Sequence, residues 1–467
     1  MRKVDDIVAE FDRQLANGSL PAVTYLVGPQ SLSEHATAHP AAGEDLTARL
    51  LARLRAYPDM YKSTLMILNY DEGGQFFDHM WAPTPPLATD NGVSTVTTVG
   101  EVNSGKPIGL GFRVPMLLVS PWSRGDIVLS EVYDHTSTIK LIEERFNVSN
   151  PNISPWRRAV TGSLVTGLDF ENPDYTWPDL PDTSGYAHES DVQCETLPAP
   201  RIPATQSFPV QEPGTRRSRA LPHTFLVNDT LSSSSLTVQL TNAGSGGAAF
   251  TMYDAMSLEA VTPRQYAVEA GKAVTDAWAV PAAGAYHVVL HGPNGFLRSF
   301  AGDTSATAAR TALASLVYDA PTGTAIVALD ATASTVPLNF SIVDNAYGAA
   351  PTFRVVSGGF TATVNVDVSS SGRWYDLTVS VGASLERRFM GRIENGTESI
   401  TDPAMAAGVR GFAHDVALKR GMLPRAVQDT AALARMPHPT LPPEHQVFTR
   451  KAGTHKDARW TTVRAEL

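Results

Sequence analysis

The sequence predicts a layered α/β domain followed by two small β-sandwich domains, and three observations support that expectation. Helical and strand-like apolar periods alternate over residues 1–180. After residue 219 the chain changes to short alternating strands set between turn signals. A weak internal repeat then divides the strand-rich region into two units.

In chain order, Val4, Ile7, Val8, Phe11 and Leu15 fall at three- and four-residue intervals and predict an amphipathic helix. Ala22 to Val27 is a β-rich run between Pro21 and Gly28, and Thr64 to Tyr70 is a second. Between them Leu46, Leu50, Leu51 and Leu54 line one face of a helix that ends before Pro58, completing a β-α-β pattern. Val114 to Ser120 adds a strand and Asp134 to Phe146 a helix, so a largely parallel sheet is expected. Residues 173–219, rich in proline and turn formers, read as a linker that wraps a surface. The strands that follow include 224–227, 236–240, 286–290, 324–329, 353–356, 361–366 and 374–379. The repeat pairs Phe296 to Gly302 with Leu385 to Gly391, each carrying Arg-x-Phe. After Ala404 the chain turns basic and proline-dotted, with a short helix expected at 426–435 and little order otherwise.

A chain of 467 residues is too long for one ordinary core, so several domains are expected. A net charge of -10 argues against general affinity for nucleic acid, which depends on dense Lys and Arg. Cys194 has no second cysteine to pair with, so packing rather than an internal disulfide holds the fold. No apolar run approaches the roughly 20 residues of a membrane-spanning helix. Met1 to Asp6 leads into mixed polar sequence, so no signal peptide is expected there.

The chemistry concentrates between Leu68 and His79. Asp71 and Glu72 end a strand, and Gly73-Gly74 lets the backbone turn back over whatever they hold. Two adjacent anions suit a hard divalent cation, which would neutralise and polarise a phosphate. The same dipeptide also serves as a plain acidic turn. Asp78-His79 and Ser33-Glu34-His35 add histidines able to donate protons or contact phosphate near neutral pH. His39, His135, His223 and His287 read first as structural, with His135 raised because Asp134 could cap the helix beside it.

Taken together, Ser33-Glu34-His35, Tyr70-Asp71-Glu72, Gly74 to His79, Pro83 to Pro86, Gly109 to Pro115, Ser120 to Gly125, Tyr133 to Ser137 and Asn152 to Val160 form a collinear set. That set resembles the bacterial non-haemolytic phospholipase C and acid phosphatase family. Val289 to Arg298, Val343 to Gly348 and Trp374 to Val379 resemble the paired C-terminal domains of its phospholipase C branch. The resemblance implies a partial alkaline-phosphatase-like layered α/β domain that holds one divalent metal ion of unassigned identity between acidic ligands and a hydroxyl nucleophile. Asp71 and Glu72 would be metal ligands, His35 would contact the phosphate or assist proton transfer, and His79 ranks second for that role. The implied reaction is phosphodiester hydrolysis of a phosphatidylcholine-like lipid, releasing diacylglycerol. A phospholipid or other phosphoester substrate is the implied partner, with room for a peripheral membrane contact. Members of the family are typically secreted, which leaves the location of this chain open.

Two features of the family find no match in the sequence: its first motif, a Glu-Asn pair followed by Arg-Ser-Phe-Asp-His, and the later segment bearing a Ser or Thr nucleophile. The expected organisation is therefore the C-terminal part of an N-terminally truncated catalytic domain over 1–180. A linker at 181–218, β-domains at 219–305 and 312–400, and a poorly ordered tail at 404–467 follow. Two functions are expected from this: a hydrolase of phospholipase C type, or a catalytically inactive relative that binds lipid or a partner through its β-domains.

Overall fold

Asp6 accepts hydrogen bonds from the N–H groups of Val8 and Ala9 and so starts helix α1 (Ile7–Ala16). Phe11 and Leu15 pack with Leu46, Leu50 and Leu54 of α2 (Pro40–Ala56), whose four-residue spacing makes one buried stripe, and Tyr61 joins the same cluster. Pro40 stands at the first turn of α2, where its missing N–H costs nothing. The structure, a computed structural model, describes residues 5–35, 38–74, 78, 80–87, 91–199, 201–205, 212–257 and 262–406. The helix expected at 426–435 and the rest of the tail beyond residue 406 lie outside the described residues.

Strand β1 (Met66–Asn69) follows, then β2 (Gly92–Ser94) and β3 (Met116–Val119). β1 and β3 pair antiparallel, with Met66 opposite Val119, which corrects the expected parallel arrangement among the described residues. The run from Ala22 to Val27 forms no strand: the chain bends at Ala22 and Val23, Tyr25 and Val27 are exposed, and Leu26 packs on the α1/α2 cluster. β-branched residues favour an extended backbone, but a strand also needs a neighbour for its N–H and C=O groups. Helices α3 (His135–Phe146), α4 (Pro155–Val160) and α5 (Tyr186–Thr196) come next. α5 lies inside the stretch expected to be linker; it buries no residue, so it has no apolar stripe to betray it.

The first sandwich is built from β4 (Phe225–Leu231), β5 (Ser235–Asn242), β6 (Ala248–Asp254), β7 (Arg264–Val268), β8 (Ala273–Ala279), β9 (Ala285–His291) and β10 (Leu297–Asp303). After the short helix α6 (Thr307–Thr311), the second repeats that order with β11 (Leu313–Asp319), β12 (Thr324–Asp330), β13 (Leu338–Asp344), β14 (Thr352–Val356), β15 (Thr361–Asp367), β16 (Trp374–Val381) and β17 (Leu385–Arg392). Each sandwich has its own core: Phe225, Leu236, Phe250, Trp278 and Phe300 in the first, Leu316, Val327, Phe340, Leu377 and Phe389 in the second. Each also has its own three-stranded sheet, in the orders β8-β5-β4 and β11-β12-β15.

The opposite layers are shared. One nine-stranded sheet runs β14-β13-β16-β17-β10-β9-β6-β7-β2 and so passes through both sandwiches. At its centre β10 and β17 pair antiparallel, with Arg298 opposite Phe389 and Phe300 opposite Arg387. The repeat seen in the sequence is thus a pseudo-two-fold ribbon that joins the two halves. At one end β2 runs parallel to β7. Gly92 makes that approach possible, since a Cβ there would lie 1.8 Å from the Gln265 carbonyl oxygen and the residue has φ +115°. Among the described residues no helix is long and apolar enough to cross a membrane.

Candidate active site

Tyr70 leaves the end of β1 with its N–H on the Pro115 carbonyl, which extends the β1/β3 ladder and fixes where Asp71 and Glu72 emerge. Both acids are exposed, and Gly74 turns the chain after them with φ +60°. The Tyr70 hydroxyl donates to Glu34 at 2.6 Å, which draws Ser33-Glu34-His35 to the same strand end. That hydrogen bond, helped by burial, pushes the Tyr70 hydroxyl up to about 12, so it stays protonated and the link holds through neutral pH. Glu34 fits because α2 has a glycine beside it: a Cβ on Gly43 would lie 2.5 Å from the Glu34 Cγ. His35, next in the chain, is exposed.

A third segment arrives from α3. The His135 ring lies with Nε2 3.1 Å from the Tyr70 carbonyl oxygen, one residue before Asp71. Asp134 caps α3, as the sequence suggested, by accepting from the Thr136 N–H at 2.9 Å while Ser137 closes the capping box. Arg157 of α4 holds that cap from behind: it donates to Asp134 at 2.6 Å, to both oxygens of the buried Glu101 at 2.9 and 2.8 Å, and to the Gly109 carbonyl at 3.0 Å. Ser154 donates to the same Glu101 at 2.6 Å. A bidentate Arg–carboxylate pair fixes direction as well as distance, so this network sets the start of α3 and the place of His135.

Asp78, the acidic neighbour of His79 in the sequence, accepts from the Arg113 backbone N–H at 3.0 Å and from its guanidinium at 2.7 and 2.8 Å. The Arg113 side chain holds the Asp78 carboxyl well below the usual carboxylate range. His79 lies outside the described residues.

Asp71, Glu72, His35 and His135 therefore belong to three segments gathered at one strand end. Among the described residues, no group of three His, Cys, Asp or Glu side chains is close enough to hold a metal ion. Asp71 and Glu72 offer hard oxygen donors of the kind Mg²⁺ or Ca²⁺ prefers, and their exposure leaves them open to a cation. Cavities also lie elsewhere among the described residues. One of about 210 Å³ sits between the sandwiches beside His223, Phe296, Tyr318 and Arg392, and another of about 560 Å³ sits between α4 and the first sandwich. The Glu34–Tyr70 bond and the Arg157 clamp were not predicted. Their only trace in the sequence was that Glu34, Tyr70 and Arg157 each sit inside a quoted motif.

Residues 1–149 match the Phosphoesterase family, and residues 217–303 and 312–392 each match the bacterial phospholipase C C-terminal domain. The chain is 39% identical over 413 residues to the non-hemolytic phospholipase C of Burkholderia pseudomallei, covering 85% of the chain and 58% of that relative. It is 37% identical over 422 residues to the non-hemolytic phospholipase C of Pseudomonas aeruginosa, covering 86% of the chain and 60% of the relative. It is 34% identical over 441 residues to the hemolytic phospholipase C of the same organism, covering 85% and 59%. The chain thus spans about three fifths of the length of these relatives.

Proposed function

Because this chain belongs to the phosphoesterase family and carries the paired C-terminal domains of bacterial phospholipases C, we propose that its site serves hydrolysis of a phosphatidylcholine-like phosphodiester. The observation that carries this reading is the convergence on Tyr70: Glu34 binds its hydroxyl and His135 meets its carbonyl, beside the paired acids Asp71 and Glu72. Cleavage on the glycerol side breaks the bond from phosphorus to the glycerol oxygen and forms a bond from phosphorus to the attacking oxygen. The leaving oxygen takes a proton and departs as diacylglycerol, and the phosphorylated head group remains.

In this reading Asp71 and Glu72 would supply two of the ligands of one divalent metal ion at the strand end. When bound, such an ion neutralises and polarises the phosphate. His35 contacts the phosphate or donates the proton to the leaving oxygen, and His79 shares that role by family resemblance. Glu34, Tyr70, Asp134 and Arg157 position these groups without touching substrate.

The test is turnover of a chromogenic phosphocholine ester by the purified chain, with and without added divalent metal. Asp71→Asn should lower metal-supported turnover at least a hundredfold, or roughly 3 kcal/mol of transition-state stabilisation. Asp59→Asn, at an exposed residue that precedes β1 and pairs with Lys62, should leave it unchanged. Equal effects of the two substitutions, or no turnover by folded chain at any metal concentration, would remove the assignment.

A further inference from the structure

The outer edges of the two sandwiches occupy equivalent places in the pseudo-two-fold arrangement, but their surfaces differ. In the first, Ala248 pairs with Val268 and Phe250 with Tyr266; in the second, Leu338 pairs with Val356 and Phe340 with Arg354. Gln265 and Ala267 of β7 therefore correspond to Phe353 and Val355 of β14. Gly246 precedes β6 by two residues as Val336 precedes β13, and Lys272 directly precedes β8 as Phe360 directly precedes β15.

The first edge is covered. β2 pairs along β7, the Thr95 N–H donates to the Ala267 carbonyl, and Trp156 and Val160 of α4 pack on Ala249 and Ala267. On the second edge the matching positions carry large apolar side chains in the open: Phe353 is 78% exposed, Phe360 65%, Val355 62% and Val336 58%. All four belong to β14 and the turns that meet at its end. Phe353 and Val355 share the face of β14 turned away from the core residue Val356. A Cβ on Gly358, in the turn leading to Phe360, would lie 2.9 Å from the Val336 backbone nitrogen. Singly exposed apolar residues are ordinary, but four on one edge mark a docking surface.

We propose that this edge of the second sandwich inserts into the head-group region of a phospholipid surface. Charge favours that occupant. In a chain of net charge -10, residues 331–343 and 349–366 carry one ionised side chain, Arg354, and acids at their borders are engaged in their own turns: Asp330 accepts from the Thr332 N–H and Asp344 from the Ala346, Tyr347 and Ala349 N–H groups, so little negative charge is left to oppose phosphates. A second copy of the chain fits less well. Two β14 edges paired antiparallel about their centres would set Arg354 opposite Arg354, and like charges directly opposite destabilise a strand pair. Phe353, Phe360, Val355 and Val336 instead supply shallow apolar anchorage of the kind interfacial proteins use. The choice of a choline lipid rests on the phospholipase reading above, whereas the exposed patch does not.

The experiment is co-sedimentation of the full chain with sucrose-loaded phosphatidylcholine vesicles, next to turnover of the soluble phosphocholine ester. Phe353→Ser with Phe360→Ser should weaken vesicle partitioning at least tenfold, leave soluble-ester turnover unchanged and leave the thermal transition in place, since both side chains are already exposed. Full-strength vesicle binding by the double variant would overturn the proposal, as would no binding by the native chain. Sedimentation as a dimer that the double variant abolishes would give the patch to a second copy and overturn the lipid assignment. Lost ester turnover in the native chain with vesicle binding intact would strike only the phospholipase reading.

Discussion

Arg387 of the second sandwich and Arg298 of the first are buried at equivalent places on the central ribbon, each 1% exposed. Arg387 donates to the Asp229 carboxylate at 2.7 Å, to the Tyr286 hydroxyl at 3.1 Å and to the Ala301 and Glu386 carbonyls. Arg298 donates to the Tyr318 and Tyr375 hydroxyls and to the Leu297 and Met390 carbonyls, so a neutral phenol stands where the other socket has an acid. Burial pushes the Tyr318 hydroxyl well above the usual phenol range, so it stays neutral. Aromatic faces flank both guanidiniums, but one comes closer to Arg298: the Phe296 ring centre lies 4.1 Å from its guanidinium carbon, against 5.5 Å for Phe300 at Arg387. One fold position thus tolerates two solutions to the same desolvation problem, counter-charge on one side and phenol dipoles with a closer π face on the other.

The largest expected effect separates these solutions. Asp229→Ala leaves the Arg387 charge buried without compensation and should cost about 3–5 kcal/mol, seen as a lower urea midpoint. Arg387→Met combined with Asp229→Leu should recover most of it, because two apolar groups need no partner. Equal losses in the single and double variants would break the charge argument.

Acid should expose a second difference between the halves. Burial pushes His223 and His291, which flank the first sandwich's β4 and end its β9, down to about 4. An unfolded histidine titrates near about 6.5. Above that pH both states are neutral and no stability is lost. As the pH falls toward 4, the unfolded chain takes up protons that the folded sandwich refuses. Stability then drops by up to about 1.4 kcal/mol per pH unit for each histidine. Residues 312–400 contain no histidine, so the second sandwich lacks this liability. His223→Gln with His291→Gln should flatten the urea midpoint against pH between 6.5 and 4; an unchanged slope would place the acid sensitivity elsewhere.

The smallest effect tests the neutral socket. Tyr318→Phe removes one of four partners of Arg298 and should cost about 1–2 kcal/mol by urea unfolding. A cost above that of Asp229→Ala would reverse the ranking of the two sockets.

Where a local pattern sufficed, the sequence was readable. Leu46, Leu50 and Leu54 announced α2, Asp134 announced the start of α3, and Arg-x-Phe announced the pair of sandwiches. Tertiary partners were not legible. Nothing in Val23-Thr24-Tyr25-Leu26-Val27 says whether a neighbouring strand lies alongside, and α5 has no periodic apolar face. The candidate site was legible as residues but not as geometry. Asp71, Glu72 and His35 stood out by type and order, whereas the Glu34–Tyr70 bond and the Arg157 clamp join positions far apart in the chain. The motif around Val343 to Gly348 proved architectural, with Asp344 accepting from the Ala346, Tyr347 and Ala349 N–H groups to shape a turn.

The ribbon of β10 and β17 also limits how this chain can be cut. Severing it near α6, as one would to make two separate modules, would strip hydrogen-bonding partners from both sides of the break. Each fragment would then present a raw strand border, an invitation to stick to its former neighbour or to another copy. For protein engineering the two sandwiches are best handled as one cassette, with tags and fusions placed away from that seam.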